Sequence, residues 1–451
     1  MTETSNSELV CTRQQRIANL AKQSPQMGFT SLNHYLDLPW LHEAYRHTRK
    51  DAAAGVDGQT AAEYEANLEG NLRSLLNRAK SGTYFAPPVR RVYIPKGSGG
   101  ETRPLGIPTL EDKVLQRAVV MILEAIYEQD FWDCSYGFRP RRSAHQALQN
   151  LWEQSMRMGG GWILEVDIRK FFDTVDHAHL REFLRHRVRD GVLLRLIGKW
   201  LNAGVLEKGT LTYPEEGTPQ GGVISPLLAN VYLHYVLDVW FAGEVQPRMK
   251  GRCFLVRYAD DAVLGFSCEE DARRVLAVLP KRLGRYGLTL HPEKTRRISF
   301  HRPPCPATQE GPTKGAPRAT FDLLGFTHYW GVSRRGHWVV KRKTARGRFA
   351  KAVRTVAQWC RLHRHQPIGE QHRTLSRKLR GHFAYYGLTG NGKALSRFQL
   401  TVTRLWRAWL SRRRRGYSYP WTRFVRLLDR YPLPAAVVVH SVYRHAANSV
   451  T

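Results

Sequence analysis

Apolar positions recur every three to four residues near the start of the chain, as at Leu68, Leu72, Leu75 and Leu76, with Arg, Lys and Gln on the other face. That spacing stacks side chains on one side of a helix and predicts a helical segment over the first eighty or so residues. From Pro87 the texture changes. Val89-Arg90-Arg91-Val92-Tyr93-Ile94-Pro95-Lys96 has strand character, Gly97 to Gly100 supplies a turn, and a second extended piece follows around Arg103-Pro104-Leu105-Gly106-Ile107. Together they predict a hairpin that carries basic residues. A helix is expected from about Leu110 to Tyr127, apolar at Val114, Val119, Leu123 and Ile126, before Tyr136-Gly137-Phe138-Arg139-Pro140 breaks the pattern.

Between Trp162 and Phe300 helices and strands alternate, the clearest strands being Gly161 to Asp167 and Cys253 to Tyr258, so the centre of the chain reads as α+β. A Pro, Gly and Thr-rich stretch from Arg302 to Arg318 reads as an exposed connection. Beyond Trp338 the chain turns helical and basic, with helices expected over Thr344–Leu362, Leu375–Tyr386 and Leu395–Arg414. No repeat shows at a solenoid period, so this tail is an appended domain rather than an array. The expected domains are a helical extension over 1–85, a central body over 86–331 and a basic helical domain over 332–451.

Charge narrows the function. Among 451 residues, 70 Lys plus Arg face 38 Asp plus Glu, a formal net charge of +32 that suits a polyanionic partner. A membrane surface also attracts such charge, but no run of 18 or more apolar residues occurs and Met1 to Glu8 is polar and acidic, which points to a cytoplasmic protein. Cys11, Cys134, Cys253, Cys268, Cys305 and Cys360 are scattered without a C-x-x-C pair, so reduced structural thiols are expected and a zinc-bound module is not.

The candidate chemistry lies in the acids. Tyr258-Ala259-Asp260-Asp261 falls between the apolar stretches Cys253 to Val256 and Ala262 to Phe266, which puts two acids at a hairpin tip. Adjacent carboxylates between buried strands repel unless a hard divalent cation neutralises them. An isolated acid pair is more often an ordinary Asp-rich turn. A second element changes the balance. Val166-Asp167-Ile168-Arg169-Lys170-Phe171-Phe172-Asp173 ends an apolar strand on an acid, and Asp167 meeting the hairpin would assemble a two-metal phosphoryl-transfer site.

The strand acid followed by Phe171-Phe172-Asp173, together with Tyr258-Ala259-Asp260-Asp261, resembles the palm motifs of reverse transcriptases. Further blocks stand in the order of the bacterial group II intron-encoded branch of that family: Arg103 to Pro108, Tyr136 to Pro140, Gly217 to Gly222 with Ser225 to Asn230, Leu290 to Thr295, and Leu323 to Phe326. The match spans roughly Arg90 to Gly331. It implies a right-hand polymerase fold of fingers and palm, with a C-terminal helical thumb and maturase domain. It implies an RNA-directed DNA polymerase that also binds a group II intron RNA and promotes splicing and retromobility. Two magnesium ions, deoxynucleoside triphosphates, an RNA template and a DNA primer or target are the expected cofactors and partners.

Carried over position by position, the resemblance makes Asp167, Asp260 and Asp261 the catalytic metal ligands. Lys96 and Arg103 fall where the fingers reach the triphosphate, Phe172 where a ring lies under the sugar and excludes a 2′-hydroxyl, and Gln220 where the nucleotide and template backbone are touched. Lys294 falls near the triphosphate side, and Leu324, Gly325 and Phe326 at the segment that grips the primer. Apart from Arg103, each of these nucleotide- and primer-side residues has a bland counterpart: a solvated Lys at 96 or 294, core packing at Phe172, a tight turn around Gln220, a palm strand at 324–326.

In the tail, Arg346, Arg348, Arg404, Arg407 and the run Arg412 to Arg415 lie opposite apolar spacing and among aromatics, a pattern that suits RNA contact as well as a solvated basic face. Leu379 to Gly387 resembles the start of the maturase signature. Relatives often continue into a Cys and His-rich nuclease. None precedes Thr451, so second-strand cleavage is not expected of this chain. Two alternatives share the same motifs: a reverse transcriptase of this lineage in host defence or repair, and a splicing-only maturase.

Overall fold

The computed structural model describes residues 3–95, 102–207, 209–213, 216–217, 221–303, 319–413 and 418–440. The chain divides into two compact units, residues 1–147 with 164–297, and residues 148–163 with 298–451. None of the described helices is long and apolar enough to cross a membrane.

The first unit begins with helices α1 (Glu3–Gln23), α2 (Leu38–Arg46), α3 (Ala61–Glu65) and α4 (Leu68–Ser81). Their ends are marked chemically. Asp37 accepts the Trp40 amide ahead of α2, Thr60 and Glu63 form a reciprocal capping box on α3, and α4 stops on Gly82 at φ +85°. Strands β1 (Val89–Pro95) and β2 (Thr102–Ile107) make the expected antiparallel hairpin, with Ile94 opposite Arg103 and Arg91 opposite Gly106. Helix α5 (Leu110–Asp130) is buried on nearly every side, as its apolar content around the full turn requires, and α1 and α2 lie along it.

Next come α6 (Ala144–Met158), which runs from the first unit into the second, and β3 (Gly160–Val166), which returns. Helices α7 (His177–Arg187) and α8 (Gly191–Leu201) follow, then the short strands β4 (Val205–Glu207) and β5 (Thr210–Thr212), which extend the first sheet in the order β2-β1-β4-β5. Helix α9 (Ser225–Leu233) continues into π-helical turns at His234–Asp238 and Phe241–Val245. Strands β6 (Cys253–Tyr258) and β7 (Asp261–Phe266), helix α10 (Glu269–Gly284) and β8 (Arg296–His301) complete a second sheet ordered β6-β7-β3-β8.

Two buried charges tie the N-terminal helices to the body. Arg187, 2% exposed, donates Nη2 to Ala21 O and Nη1 to Ser24 O, Pro25 O and Met27 O at 2.7–2.9 Å, while its Nε lies 2.8 Å from Asp130. It thereby serves one carbonyl in the last turn of α1 and three in the segment just beyond it. Asp190 caps α8 through Oδ1, from Val192 N and Leu193 N, and accepts Leu32 N and Asn33 N on Oδ2.

In the second unit, β9 (Phe321–Leu323), β10 (Phe326–Val332) and β11 (Trp338–Thr344) form an antiparallel sheet, and Trp152 of α6 donates to Val340 O. Helices α11 (Arg346–Leu362), α12 (Ile368–Tyr386), α13 (Gly392–Ser411) and α14 (Trp421–Arg430) enclose Val356, Leu379, Phe383, Phe398, Trp406 and Phe424. Helix α12 starts seven residues earlier than the Leu375 expected from sequence, and α14 was not foreseen at all.

Asp190→Ala strips four amides, two of them buried, of their acceptor and is expected to lower stability by about 3 kcal/mol. Asp190→Asn, with one carbonyl oxygen for both sets of amides, falls between. Urea unfolding checks this, and a midpoint equal to that of the parent would show the anchor to be dispensable.

Candidate functional site

The β6–β7 hairpin is specified by two apolar runs of opposite direction. Phe254, Leu255, Val256, Val263, Leu264 and Phe266 are buried, and Tyr258 pairs with Asp261, leaving Ala259 and Asp260 as a two-residue turn. Such tight turns draw on the left-handed region, and Ala259 sits there at φ +57°. Gly137 lies against this turn so closely that a Cβ would stand 2.2 Å from the Ala259 nitrogen. The Tyr136 to Pro140 break seen in the sequence is therefore a wall of the site.

Asp167 is placed by its own backbone. Its carbonyl accepts His291 N at 2.8 Å, Ile168 bridges Leu290, and Arg169 N donates to Thr289 O, so the Leu290-His291 segment pins the strand end. The Asp167 side chain meets Lys294, whose Nζ lies 3.3 Å from Oδ2. Both partners are solvent-accessible, so the pair contributes little stability.

Burial pushes the Asp260 carboxyl above the ordinary aspartate range and the charge of Asp167 adds to the rise, while a backbone hydrogen bond, Arg103 and Arg257 oppose it. The sequence-derived trio is thus partly assembled. Asp167 and Asp260 share a field with Arg103, and Asp261 opens β7 on the exposed side. Among the described residues, no three His, Cys, Asp or Glu side chains are gathered closely enough to hold an ion unaided. The donor set still fits a hard cation of the magnesium type, which is held by one or two carboxylates and fills its remaining positions with water and substrate phosphate.

Arg103 is exposed on β2. Phe172 is half-buried in a single 3₁₀ turn, edge-on to Phe171 at 5.4 Å. Two described glycines lie against these elements: a Cβ on Gly217 would meet Phe172 O at 2.8 Å, and one on Gly221, at φ +113°, would meet Gly106 O at 2.4 Å. Lys96 and Gln220 lie outside the described residues.

In the second unit, Leu324 and Gly325 (φ +52° and +81°) form the turn between β9 and β10, and only Phe326 is buried in the strand. The plain palm strand that sequence left open for this segment is therefore corrected to a tight turn. Tyr385 donates its hydroxyl to Leu324 O at 2.8 Å, backing the turn. Arg346, Arg348, Arg404 and Arg412 are exposed. Arg407 and Arg413 depart from the solvent-facing set in which the sequence placed them. Arg407 donates to Tyr419 O and covers the Trp421 ring at 4.4 Å, and Arg413 donates to Arg364 O and Gln366 O. Arg414 and Arg415 lie outside the described residues.

The roles of Gly137, His291 and Tyr385 escaped the sequence reading. Gly137 and His291 stand in motifs that were noticed, but close approach and backbone pairing leave no signature in residue type beyond the glycine itself.

The family profile described as reverse transcriptase (RNA-dependent DNA polymerase) matches residues 94–328, just over half the chain. The protein YkfC of Escherichia coli is 37% identical over 288 residues, covering 57% of this chain and 75% of YkfC. The group II intron-encoded protein LtrA of Lactococcus lactis is 40% identical over 222 residues, 49% of this chain and 37% of LtrA. The putative COX1/OXI3 intron 1 protein of Saccharomyces cerevisiae is 28% identical over 341 residues, 65% of this chain and 40% of that protein. The chain thus spans well under half of the last two.

Gly221→Ala forces a Cβ onto the Gly106 carbonyl at a positive φ, and a loss of about 2 kcal/mol in unfolding free energy is expected. Gly284→Ala, with open space around it, is the control and is expected to leave the midpoint unchanged or raise it. Equal midpoints for the two variants would show that the loop does not press on β2.

Proposed function

The chain belongs to the reverse transcriptase family and is an RNA-directed DNA polymerase, and from this premise we propose that its nucleotidyl transfer occurs at Asp167 and Asp260, on the RNA of a group II intron that it also helps to fold and splice. The observation that carries the site is the field that Asp167, after β3, and Arg103, on β2, share with Asp260 in the β6–β7 turn. The intron partner is supported by the motif order and by the likeness to an intron-encoded relative.

Members of this family use divalent metal ions, and the proposal is two magnesium ions on Asp167 and Asp260 with Asp261 beside them. Asp167 and Asp260 would hold the ions, which when bound would supply the positive charge that activates a primer 3′-hydroxyl and offsets charge on the triphosphate and leaving pyrophosphate. The protein supplies position. Arg103 offers a fork of donors to the phosphates, and Lys96 is proposed to join it there. Phe172 limits the space beneath the sugar, which favours deoxynucleotides, and Gln220 meets the nucleotide from the Gly-rich loop. Lys294, now on Asp167, is free to turn to the triphosphate once that carboxylate is engaged.

The helical part of the second unit is read as thumb and maturase domain, with Leu324, Gly325 and Phe326 as the primer grip. A tight turn with positive φ at both central positions lets backbone rather than side chain face the primer. Exposed Arg346, Arg348, Arg404 and Arg412 are the phosphate-facing candidates, joined by Arg414 and Arg415. A bacterial cytoplasmic location accompanies the proposal, because its RNA and DNA partners are there.

Primer extension on an RNA template with magnesium and deoxynucleotides tests the activity. cDNA is expected from the parent protein, and none from folded protein overturns the reading. Asp260→Ala is expected to cut extension by at least about a hundredfold while leaving template–primer affinity within about threefold, because it removes a ligand and no basic surface. Comparable loss of both would argue against a catalytic role.

The arginines separate by environment. Replacing Arg346, Arg348, Arg404 and Arg412 with Gln is expected to reduce the slope of log affinity against log salt by up to about 3, roughly 0.7 to 0.9 per lost phosphate contact. Arg407→Gln is expected to lower the unfolding midpoint and leave the slope alone. The reverse pattern would move RNA contact to the inward-turned pair.

A further inference from the structure

We propose that Arg257, Asp238, Asn230 and Gly137 form a clamp that fixes the turn carrying Asp260, making polymerase turnover depend on positioning residues that touch neither substrate nor ion. The proposal rests on the reading of Asp167 and Asp260 as the polymerase site.

Arg257 interrupts an otherwise apolar strand, and it is fully buried. Its Nε and Nη2 fork onto the two oxygens of Asp238 at 2.8 and 2.5 Å, and that carboxylate is also 0% exposed. The remaining nitrogen, Nη1, donates to Asn230 Oδ1 at 3.0 Å and to Ala259 O at 3.1 Å. Asn230 in turn donates Nδ2 to Gly137 O at 2.6 Å. One guanidinium therefore joins α9, the π-helical turn after it, and the carbonyl immediately before Asp260.

The backbone closes the same ring. Arg257 N donates to Cys134 O at 2.7 Å, Tyr136 N donates to Arg257 O at 2.9 Å, and Gly137 lies so near the Ala259 nitrogen that a Cβ there would meet it at 2.2 Å. The turn is held at its carbonyl by Arg257 and has no room for a side chain at position 137.

Stability alone is a weak reason for this arrangement. A fully buried ion pair loses much of its attraction to desolvation, and apolar side chains of similar volume often serve a core as well or better. Ala259 moreover holds a left-handed conformation that a Cβ disfavours, and such conformations persist where the surroundings over-determine them. A helix carrying Asp238 and Asn230 is thus coupled to the position of one carboxylate. Displacement of a reacting group by about 1 Å is enough to cost on the order of a hundredfold in rate.

The test compares the full chain with Arg257→Lys, Asn230→Ala and the apolar double variant Arg257→Met with Asp238→Leu. Four readouts are taken: kcat and KM for deoxynucleotide in primer extension, template–primer affinity, unfolding midpoint, and the rise of that midpoint on adding magnesium. For the double variant, a midpoint near that of the parent is expected, with kcat down by on the order of a hundredfold, nucleotide KM and template–primer affinity within about threefold, and a smaller magnesium-induced rise. Asn230→Ala is expected to lose about three- to tenfold in kcat, since it releases one of the two acceptors on Nη1. Arg257→Lys, which keeps the charge but loses the fork, falls between.

A folded double variant with parental kcat and a parental magnesium response overturns the clamp. If the double variant does not fold, Asn230→Ala and Arg257→Lys decide, and kcat per folded molecule equal to the parent's is the adverse result. Absence of cDNA from the parent would instead overturn the polymerase reading, and the magnesium-induced rise would still test the clamp in the absence of activity.

Discussion

The carboxylates of Asp167 and Asp260 share one field and repel, and the charged groups around the β6–β7 turn answer that repulsion. Burial and Asp167 both drive the Asp260 carboxyl toward its protonated form, and Arg103 and Arg257 work against them. The field is balanced from two directions, by an exposed arginine on the β1–β2 hairpin and by a buried one on β6. Position is secured separately, through backbone: Asp167 by the His291 amide, and the turn of Asp260 by the Gly137 segment. Arg257 links charge and position, because its charge acts on Asp260 while its Nη1 holds the Ala259 carbonyl. Among the described residues no protein-made cage of ligands encloses the two acids, as expected where substrate oxygens complete the shell.

The parts of this legible in sequence were those with local signatures. Alternating apolar residues on either side of two acids specify a hairpin tip, and Gly97 to Gly100 between two extended basic pieces specify another hairpin, whose described strands pair in register. What stayed hidden were charges whose partners are distant in the chain. Arg187 lies more than 150 positions from the carbonyls it satisfies, and Arg257 is 19 from Asp238. Nothing in residue type separates them from solvated arginines. The one available sign was a charge inside an otherwise apolar strand, as Arg257 is. The same limit applies in the tail, where Arg407 and Arg413 are turned to backbone carbonyls while Arg404 and Arg412 stay exposed. Helix α14 was legible in the sequence, since Trp421, Phe424, Val425 and Leu428 recur at helical spacing, although Phe424 is its one buried residue.

The second unit relies on aromatic packing more than on charge. Trp406 is fully buried and donates to Gln371, Phe398 stacks on His382 at 3.9 Å, and Tyr385 and Tyr386 flank Phe326. Asn391 ties the sheet to the helices by donating to Tyr386 O and Thr344 Oγ1 and accepting Thr344 N. A rigid apolar interior of this kind leaves the outer helix faces free to carry arginine, since the fold does not depend on those side chains.

Arg187 sets a lower bound on how small a working version of this protein can be. Its guanidinium is enclosed by carbonyls from the end of α1 and the residues just beyond it, far upstream of the stretch shared with other polymerases. A fragment trimmed to that shared stretch would keep the arginine and lose most of its acceptors, leaving a poorly compensated ion inside α7. The piece that folds is therefore larger than the piece that carries the chemistry. The N-terminal helices belong to the enzyme's interior as much as to its edge.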